Sequence, residues 1–244
     1  MHTIGFVWPG PGEPSEVEET NRFLPPDVTV RYVQTAESET ESPDPITLER
    51  LLEMADSPDI AEAAGTFGAP EIDAVGYACT SASYVRGVGG DIEIVDRIAA
   101  ATGLPTTTTS TAAAKALRAV GARSVSVLSP HVDELNERLR LFLEGSGFDV
   151  AQMRGLNRLR GIEQIPPDEI AELVVHLVDR PDVDCIFISC TGMKTSTIID
   201  SLEERTGKPV VSALQATVWE TLRLAGAPST VPGVGRLFRD PVSV

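Results

Sequence analysis

Short apolar runs recur along the chain at even spacing, most of them bounded by glycine, proline or acidic residues. They are Thr3–Trp8, Val28–Tyr32, Ala74–Ala78, Pro105–Thr108, Ser124–Leu128, Asp149–Met153, Cys185–Ser189 and Pro209–Ala213. Runs this short suit strands buried on both faces of a parallel sheet. Between them lie stretches of helical period. Ile46–Ala55 carries Ile46, Leu48, Leu51, Leu52 and Met54 mostly on one face, and Asp91–Ala101, Thr111–Val120, Val132–Glu144, Asp168–Val178, Thr197–Arg205 and Ala216–Leu224 follow the same logic. Alternating strand and helix predicts an α/β fold in which helices cover both faces of parallel sheets. Gly103-Leu104-Pro105 and Gly207-Lys208-Pro209 each read as the end of a helix and the launch of a strand, glycine closing the last turn and proline barring its continuation.

The pattern also repeats. Asp73 precedes Cys79 by six residues and Asp184 precedes Cys190 by six; Glu93–Pro105 aligns without a gap on Thr197–Pro209, placing Asp96 on Asp200, Gly103 on Gly207 and Pro105 on Pro209. This predicts two pseudo-symmetric lobes, residues 1–112 with 217–244 around Cys79 and residues 113–216 around Cys190. Ligands of parallel sheets bind beyond the carboxyl ends of the strands. Two similar lobes facing each other would therefore aim both cysteines into one cleft.

Each cysteine closes an apolar run and is followed by hydroxyl-bearing and small residues: Cys79 by Thr80, Ser81 and Ser83, and Cys190 by Thr191 and Gly192. At a strand end just before a helix, exposed N–H groups and the helix dipole are expected to favour thiolate and lower the thiol pKa. The same N–H groups, with Thr80 and Ser81 or with Thr191 and Gly192, would form a socket for a carboxylate. A nucleophile or base beside an anion socket is what chemistry α to a carboxylate requires. Cys185 alternates opposite to Cys190 on its strand and has no counterpart in the first lobe, so it reads as core. A Cys79–Cys190 disulfide is a third option, disfavoured in a cytoplasm.

Composition narrows the setting. The 244 residues are 42% hydrophobic, enough to bury a core, and no apolar run is long enough to span a membrane. The N-terminus lacks the layout of a signal peptide and reads as the first strand. Three cysteines do not make a disulfide framework, and a cytoplasmic location is the default expectation. A net charge of −16 argues against nucleic acid and anionic membranes as partners. Only three of the twenty basic residues are lysine, a balance that resembles acidic proteomes adapted to salt. The acid run Glu37–Pro45 reads as a solvated loop. Three scattered histidines give no metal-binding spacing, and the segment Pro9–Gly12 fits neither phosphate-binding glycine motif.

With "ACTSASYVRG" and "ISCTGMKTSTIIDSLEERTGKPVVSALQATVWETLRLAG" on the page, the chain resembles the maleate cis–trans isomerase and arylmalonate decarboxylase family of the aspartate/glutamate racemase superfamily. The resemblance covers nearly the whole chain. It implies a two-lobed fold with the site in the cleft and chemistry without metal or organic cofactor. In isomerases of the family the cysteine of the first motif adds to the substrate or moves a proton while the second assists. Decarboxylases lack the first and use the second to protonate an enediolate. Having both cysteines, the chain is more similar to the isomerase or racemase branch. It departs from the pattern in three places. "WPGPGEPSE" has no asparagine, "SPH" puts His131 where a tyrosine is usual, and "RLRGIEQIPP" offers Arg160, Gly161 and Glu163 where an asparagine is usual. Those positions hold substrate carboxylates in the family, so their replacement weakens the case for maleate itself and leaves the cysteine chemistry open.

His131 then has two readings: a carboxylate donor or base in the tyrosine's place, or a solvent-facing residue at the start of its helix. His176 falls in a helical pattern and reads as a surface or packing residue. Trp8 either walls the cleft or belongs to the core. The leading functional reading is a cofactor-independent isomerase or racemase of a small carboxylate, with Cys79 as nucleophile or base and Cys190 as its partner. Decarboxylation of a malonate-like acid through Cys190 is the alternative within the family, and a small-molecule binding protein on the same fold is the alternative outside it. A homo-oligomer is compatible with the sequence.

Overall fold

Two four-stranded parallel sheets, each with helices on both faces, make up the computed structural model, which describes residues 1–9, 14–35, 45–67, 71–177 and 182–239. In chain order the first sheet comprises β1 (His2–Trp8), β2 (Val28–Gln34), β3 (Ala74–Tyr77) and β4 (Thr106–Thr108), arranged β2-β1-β3-β4. The second comprises β5 (Ser124–Ser129), β6 (Asp149–Gly155), β7 (Cys185–Ile188) and β8 (Val210–Ser212), arranged β6-β5-β7-β8. The order is the same in both, so the internal repeat is a repeat of topology. The acid run at 37–44, the glycines of the segment 9–12 and residue 178 at the end of a predicted helix lie outside the described residues.

The register explains why these runs are strands. Phe6 stands beside Tyr32 on one side and Gly76 on the other, and Val127 stands beside Met153 and Phe187. Central strands β3 and β7 are buried along their whole length, as strands covered on both faces must be. The two aspartates of the repeat play one structural role. Asp73 accepts from the Thr3 N–H at 2.9 Å and Asp184 from the Ser124 N–H at 2.9 Å, each fixing the start of a neighbouring strand.

Between the sheets lie α6 (Thr109–Ala119) and α10 (Ala213–Leu224), reached through α1 (Pro14–Asn21), α2 (Leu48–Asp56), α3 (Asp59–Gly65), α4 (Thr80–Tyr84), α5 (Gly90–Thr102), α7 (Asp133–Gly145), α8 (Pro167–Val175) and α9 (Ile199–Thr206). The paired helices begin alike. The Thr108 hydroxyl accepts from the Thr111 N–H, and Ser212 and Gln215 exchange side-chain and backbone bonds in a capping box. Their small faces allow close approach, with the Thr217 hydroxyl donating to that of Thr109 at 3.0 Å and Lys115 paired with the buried Glu220. Gly103 and Gly207 both end their helices at φ +70°, a conformation glycine adopts without strain.

Gly76 has another reason to be glycine: a Cβ there would lie 2.5 Å from the Phe6 ring and 2.8 Å from the Thr221 hydroxyl. We expect Gly76→Ala to destabilise the fold by about 1–3 kcal/mol through overpacking, read as a lower denaturation midpoint at unchanged slope.

Candidate active site

Strand β3 delivers its last residues to the carboxyl edge of the first sheet, where Cys79 caps α4 with extended backbone angles (φ −140°, ψ 114°). The turn is held by hydroxyls. Ser83 donates to the Cys79 carbonyl at 2.7 Å, Ser110 of α6 donates to the Thr80 carbonyl at 3.1 Å, and Thr109 donates to the Tyr77 carbonyl at 3.1 Å. This is why a stretch of Thr and Ser follows the cysteine: buried carbonyls at the strand end need donors. The sulfur of Cys79 lies 3.8 Å from the Ser81 hydroxyl, and the N–H groups of Ser81 and Ala82 and the Tyr77 hydroxyl also face it.

Cys190 reaches the same place from β7 by a different geometry. No helix follows at once; Thr191–Ile198 is a series of turns before α9. Cys190 itself has φ +89°, in the left-handed region that residues with a side chain avoid. Such strain persists only where the surroundings fix it. Here Glu19 of α1, buried, accepts from the Thr195 and Ser196 N–H groups and from the Ser196 hydroxyl, tying the loop to the first lobe. The Thr191 hydroxyl donates to the Ala78 carbonyl at 3.4 Å, across the cleft. Glycine accepts φ +89° and alanine does not. We therefore expect Cys190→Gly to be more stable than Cys190→Ala by about 1 kcal/mol in chemical denaturation.

The two strand ends meet at one cavity of about 260 Å³. Its lining includes all eight residues singled out in the sequence: Cys79, Thr80, Ser81, Cys190, Thr191, Gly192, His131 and Trp8. Both sulfurs are free thiols, so the Cys79–Cys190 disulfide is not formed. Trp8 is at once a core residue and a cavity wall. His131 does not face solvent at the start of α7; it is 0% exposed and lines the cavity. Its backbone is clamped, the N–H donating to Ser129 Oγ and the carbonyl accepting from Asn136 Nδ2 and the Asn157 N–H. His176 lies exposed at the end of α8, and Cys185 is fully buried in the core.

The electrostatics differ from the helix-terminus expectation. Burial raises the Cys79 thiol against the opposing pull of its donors, and burial pushes Cys190 up to about 12, with the nearby charges of Cys79, Glu16 and Glu163 adding to it. Both are neutral thiols in the unliganded protein, because loss of water outweighs a few N–H dipoles. Burial alone lowers His131 to about 4, so its ring is neutral as well. Among the described residues, neither ring nitrogen of His131 has a hydrogen-bond partner, and neither do the buried hydroxyls of Thr80 and Tyr84. The Tyr84 phenol is raised well above its usual range chiefly by burial, and it would be raised further by any thiolate formed at Cys190 or Cys79.

Several cavity residues escaped the sequence reading. Glu16 comes from α1, Arg50, Leu51 and Met54 from α2, and Ile162 from a 3-10 turn (Ile162–Gln164) whose Glu163, one of the residues at the position where the family usually has an asparagine, also lines the cavity. For α2 the helical period was visible, but which face meets the cleft depends on tertiary packing. Among the described residues, no helix is long and apolar enough to cross a membrane, and no group of three or more His, Cys, Asp or Glu residues is placed to hold a metal.

A family model described as arylmalonate decarboxylase matches residues 53–238. The arylmalonate decarboxylase of Bordetella bronchiseptica is 39% identical over 166 residues, covering 66% of this chain and 69% of that protein. The maleate isomerase of Nocardia farcinica (strain IFM 10152) is 32% identical over 184 residues, covering 72% of each chain. In three dimensions, a double mutant of arylmalonate decarboxylase in a liganded form superposes with a TM-score of 0.85 at 30% identity, over 98% of this chain and 99% of that one. A mutant Nocardia farcinica maleate cis–trans isomerase with a covalently bound succinylcysteine intermediate shares the fold, with a TM-score of 0.82 at 23% identity over 98% and 99% of the two chains. The match runs through both cysteine motifs and both lobes, and the chain belongs to the arylmalonate decarboxylase family of enzymes, together with the maleate isomerases.

Proposed function

We propose that the protein is a cofactor-independent isomerase or racemase of a small carboxylate that works with Cys79 and Cys190 as a pair. The observation that carries this reading is the convergence of two free thiols, one from each lobe, on a cavity whose buried polar atoms want a ligand. The His131 ring nitrogens and the Thr80 hydroxyl have no partner among the described residues. A buried polar group left unsatisfied costs about 1–3 kcal/mol, and a bound carboxylate would remove that cost. Thr80, Ser81, Thr191 and Gly192 would supply further donors, and neutral His131 would donate its one N–H.

The two sulfurs are not equivalent. Cys79 has N–H groups from Ser81 and Ala82 and hydroxyls from Ser81 and Tyr77 to stabilise a thiolate, whereas Cys190 has the Gly192 N–H and a thiol pushed up to about 12. Cys79 is therefore the base or nucleophile and Cys190 the sulfur that holds a proton. In racemisation the Cys79 thiolate takes the α-proton, the C–H electron pair moves into an enediolate on the bound carboxylate, and the Cys190 S–H returns a proton to the opposite face. In cis–trans isomerisation the thiolate adds to the double bond, the resulting single bond rotates, and the C–S bond breaks again. The oxyanion donors stabilise the charge that develops in either case.

A second reading, decarboxylation of a malonate-like acid with Cys190 protonating the enediolate, is favoured by the identity to the Bordetella enzyme. Incubation in deuterated water with a panel of dicarboxylates, amino acids and malonates, followed by NMR, separates the readings. Exchange or isomerisation without loss of carbon supports the first. Release of carbon dioxide supports the second. Binding without any turnover supports neither and returns the chain to a binding role.

A further inference from the structure

The left-handed backbone of Cys190 is held from the opposite side of the cleft. Glu19 stands on α1, which follows β1 of the first sheet, whereas the Cys190 loop follows β7 of the second. Three donors of that loop end on the one carboxylate. Oε1 accepts from the Thr195 N–H and, at 2.7 Å, from the Ser196 N–H, and Oε2 accepts from the Ser196 hydroxyl at 2.7 Å. Glu19, Thr195 and Ser196 are all buried, where bonds to a charged acceptor are roughly twice as strong as neutral ones. The Thr195 hydroxyl in turn donates to Ser212 at 2.8 Å, at the start of α10. Only the four residues 191–194 separate Cys190 from this fixed point, and the Met193 N–H donates to the Cys190 carbonyl at 3.3 Å. With so short a tether, displacement of Thr195 is passed on to the Cys190 backbone. The φ of +89° decides where the Cβ leaves the chain, and so where the sulfur points.

We infer that Glu19 is a positioning residue, whose carboxylate holds the 191–196 loop so that the Cys190 sulfur stays in the cavity it shares with Cys79. Glu19 does not belong to the described cavity lining, so it acts through Cys190 rather than on a substrate. A strained residue relaxes when the groups that fix it are withdrawn. Without the carboxylate, two buried N–H groups and a buried hydroxyl lose their acceptor, and the loop moves to find water. The sulfur then leaves its place and becomes accessible. This effect on the thiol stands on the geometry alone, whereas the effect on turnover rests on the two-cysteine reading above.

The test compares the full-length wild type with Glu19→Ala and Glu19→Gln. Alkylation of Cys79, Cys185 and Cys190 by iodoacetamide is followed residue by residue by mass spectrometry. Glu19→Ala is expected to speed the reaction at Cys190 by about tenfold while Cys79 and Cys185 keep their rates. Glu19→Gln keeps the volume and one acceptor oxygen, so it should restore most of the protection, leaving Cys190 about threefold faster than in the wild type. With an acid that the wild type turns over, Glu19→Ala should lower kcat by about 10–10²-fold and leave KM within about twofold, because Thr80 and His131 still hold the carboxylate. A Cys190 rate unchanged in Glu19→Ala overturns the inference. So does acceleration of Cys79 and Cys185 in step with Cys190 in a folded variant, which marks general loosening. If Glu19→Ala does not fold, Glu19→Gln decides by the same criterion, a rise at Cys190 alone. If the wild type turns over no acid, the proposed function fails and the alkylation rates alone judge the role of Glu19.

Discussion

Replacing Cys79 with alanine is expected to lower turnover by on the order of 10²–10⁴-fold, the range for removal of a positioned acid or base, and Cys190→Ala to do the same. The equality of the two losses is the informative part. In a two-sulfur mechanism each thiol is essential to one half of the proton transfer, so neither variant keeps the full reaction and the double variant is little worse than either single one. A decarboxylase working through Cys190 would instead lose activity with Cys190→Ala and keep it with Cys79→Ala. Cys79 and Cys190 line the cavity while packing against the hydrophobic core, so the denaturation midpoint of each variant is measured beside its turnover. Cys185→Ala is the control: that residue is wholly buried, away from the cavity lining, and its variant should lose stability rather than chemistry.

The second large effect is on thiol reactivity. Cys190, pushed up to about 12 by burial, should be alkylated by iodoacetamide on the order of 10²-fold more slowly at pH 8 than a free cysteine of pKa about 8.5. The thiolate fraction falls by roughly three powers of ten, and the greater nucleophilicity of a more basic thiolate restores one to two of them. Cys79, raised in the same direction, should also react slowly in the unliganded protein. The sign for stability follows. Folded-state pKa values raised above the unfolded value mean that the native chain holds its thiol protons while the unfolded chain releases them. Stability is then fully present below about pH 8.5 and declines from there through the folded pKa values. Urea titrations at increasing alkaline pH should show the midpoint falling, and less steeply when Cys190 is replaced by serine. Activity should run the other way, rising with pH in that range as the Cys79 thiolate becomes populated.

How much of this was legible in the sequence varies with the length scale of the cause. The eight strands are visible as apolar runs because burial on both faces leaves no room for polar alternation, and the shared sheet order was foreshadowed by the gapless match of Glu93–Pro105 on Thr197–Pro209. Element ends were less clear. Helix α10 begins at Ala213, three residues before its apolar period starts, because Ser212 and Gln215 form a capping box that the Ser-x-x-Gln spacing already spelled out. The bounds of helix α4, which the sequence leads one to expect after Cys79, are illegible for a different reason. Its five residues, Thr80–Tyr84, are all buried and so show no amphipathic period. Helices α1 and α3 were passed over, the first in a stretch dominated by proline and glutamate. At the site, seven of the eight residues found in the cavity lining stand at strand ends or just after them, which are local signals, and His131 was reached through the family resemblance. Glu16 and Arg50 could not be picked out, since nothing within α1 or α2 tells which side faces the other lobe. The direction of the thiol pKa was misread for the same reason: the N–H donors beside Cys79 are encoded locally, but the burial that outweighs them comes from the whole fold.

Solvent deuterium incorporation into one enantiomer of a reacting carboxylate most directly tests whether the two sulfurs serve a single small acid. The wild-type protein is compared with Cys79→Ala and Cys190→Ala, with both stereochemistry and isotope followed by NMR. Two sulfurs on opposite faces predict that the wild type converts the substrate to its mirror image carrying deuterium, and that neither variant completes that inversion. Inversion at an undiminished rate in either variant would contradict a shared site.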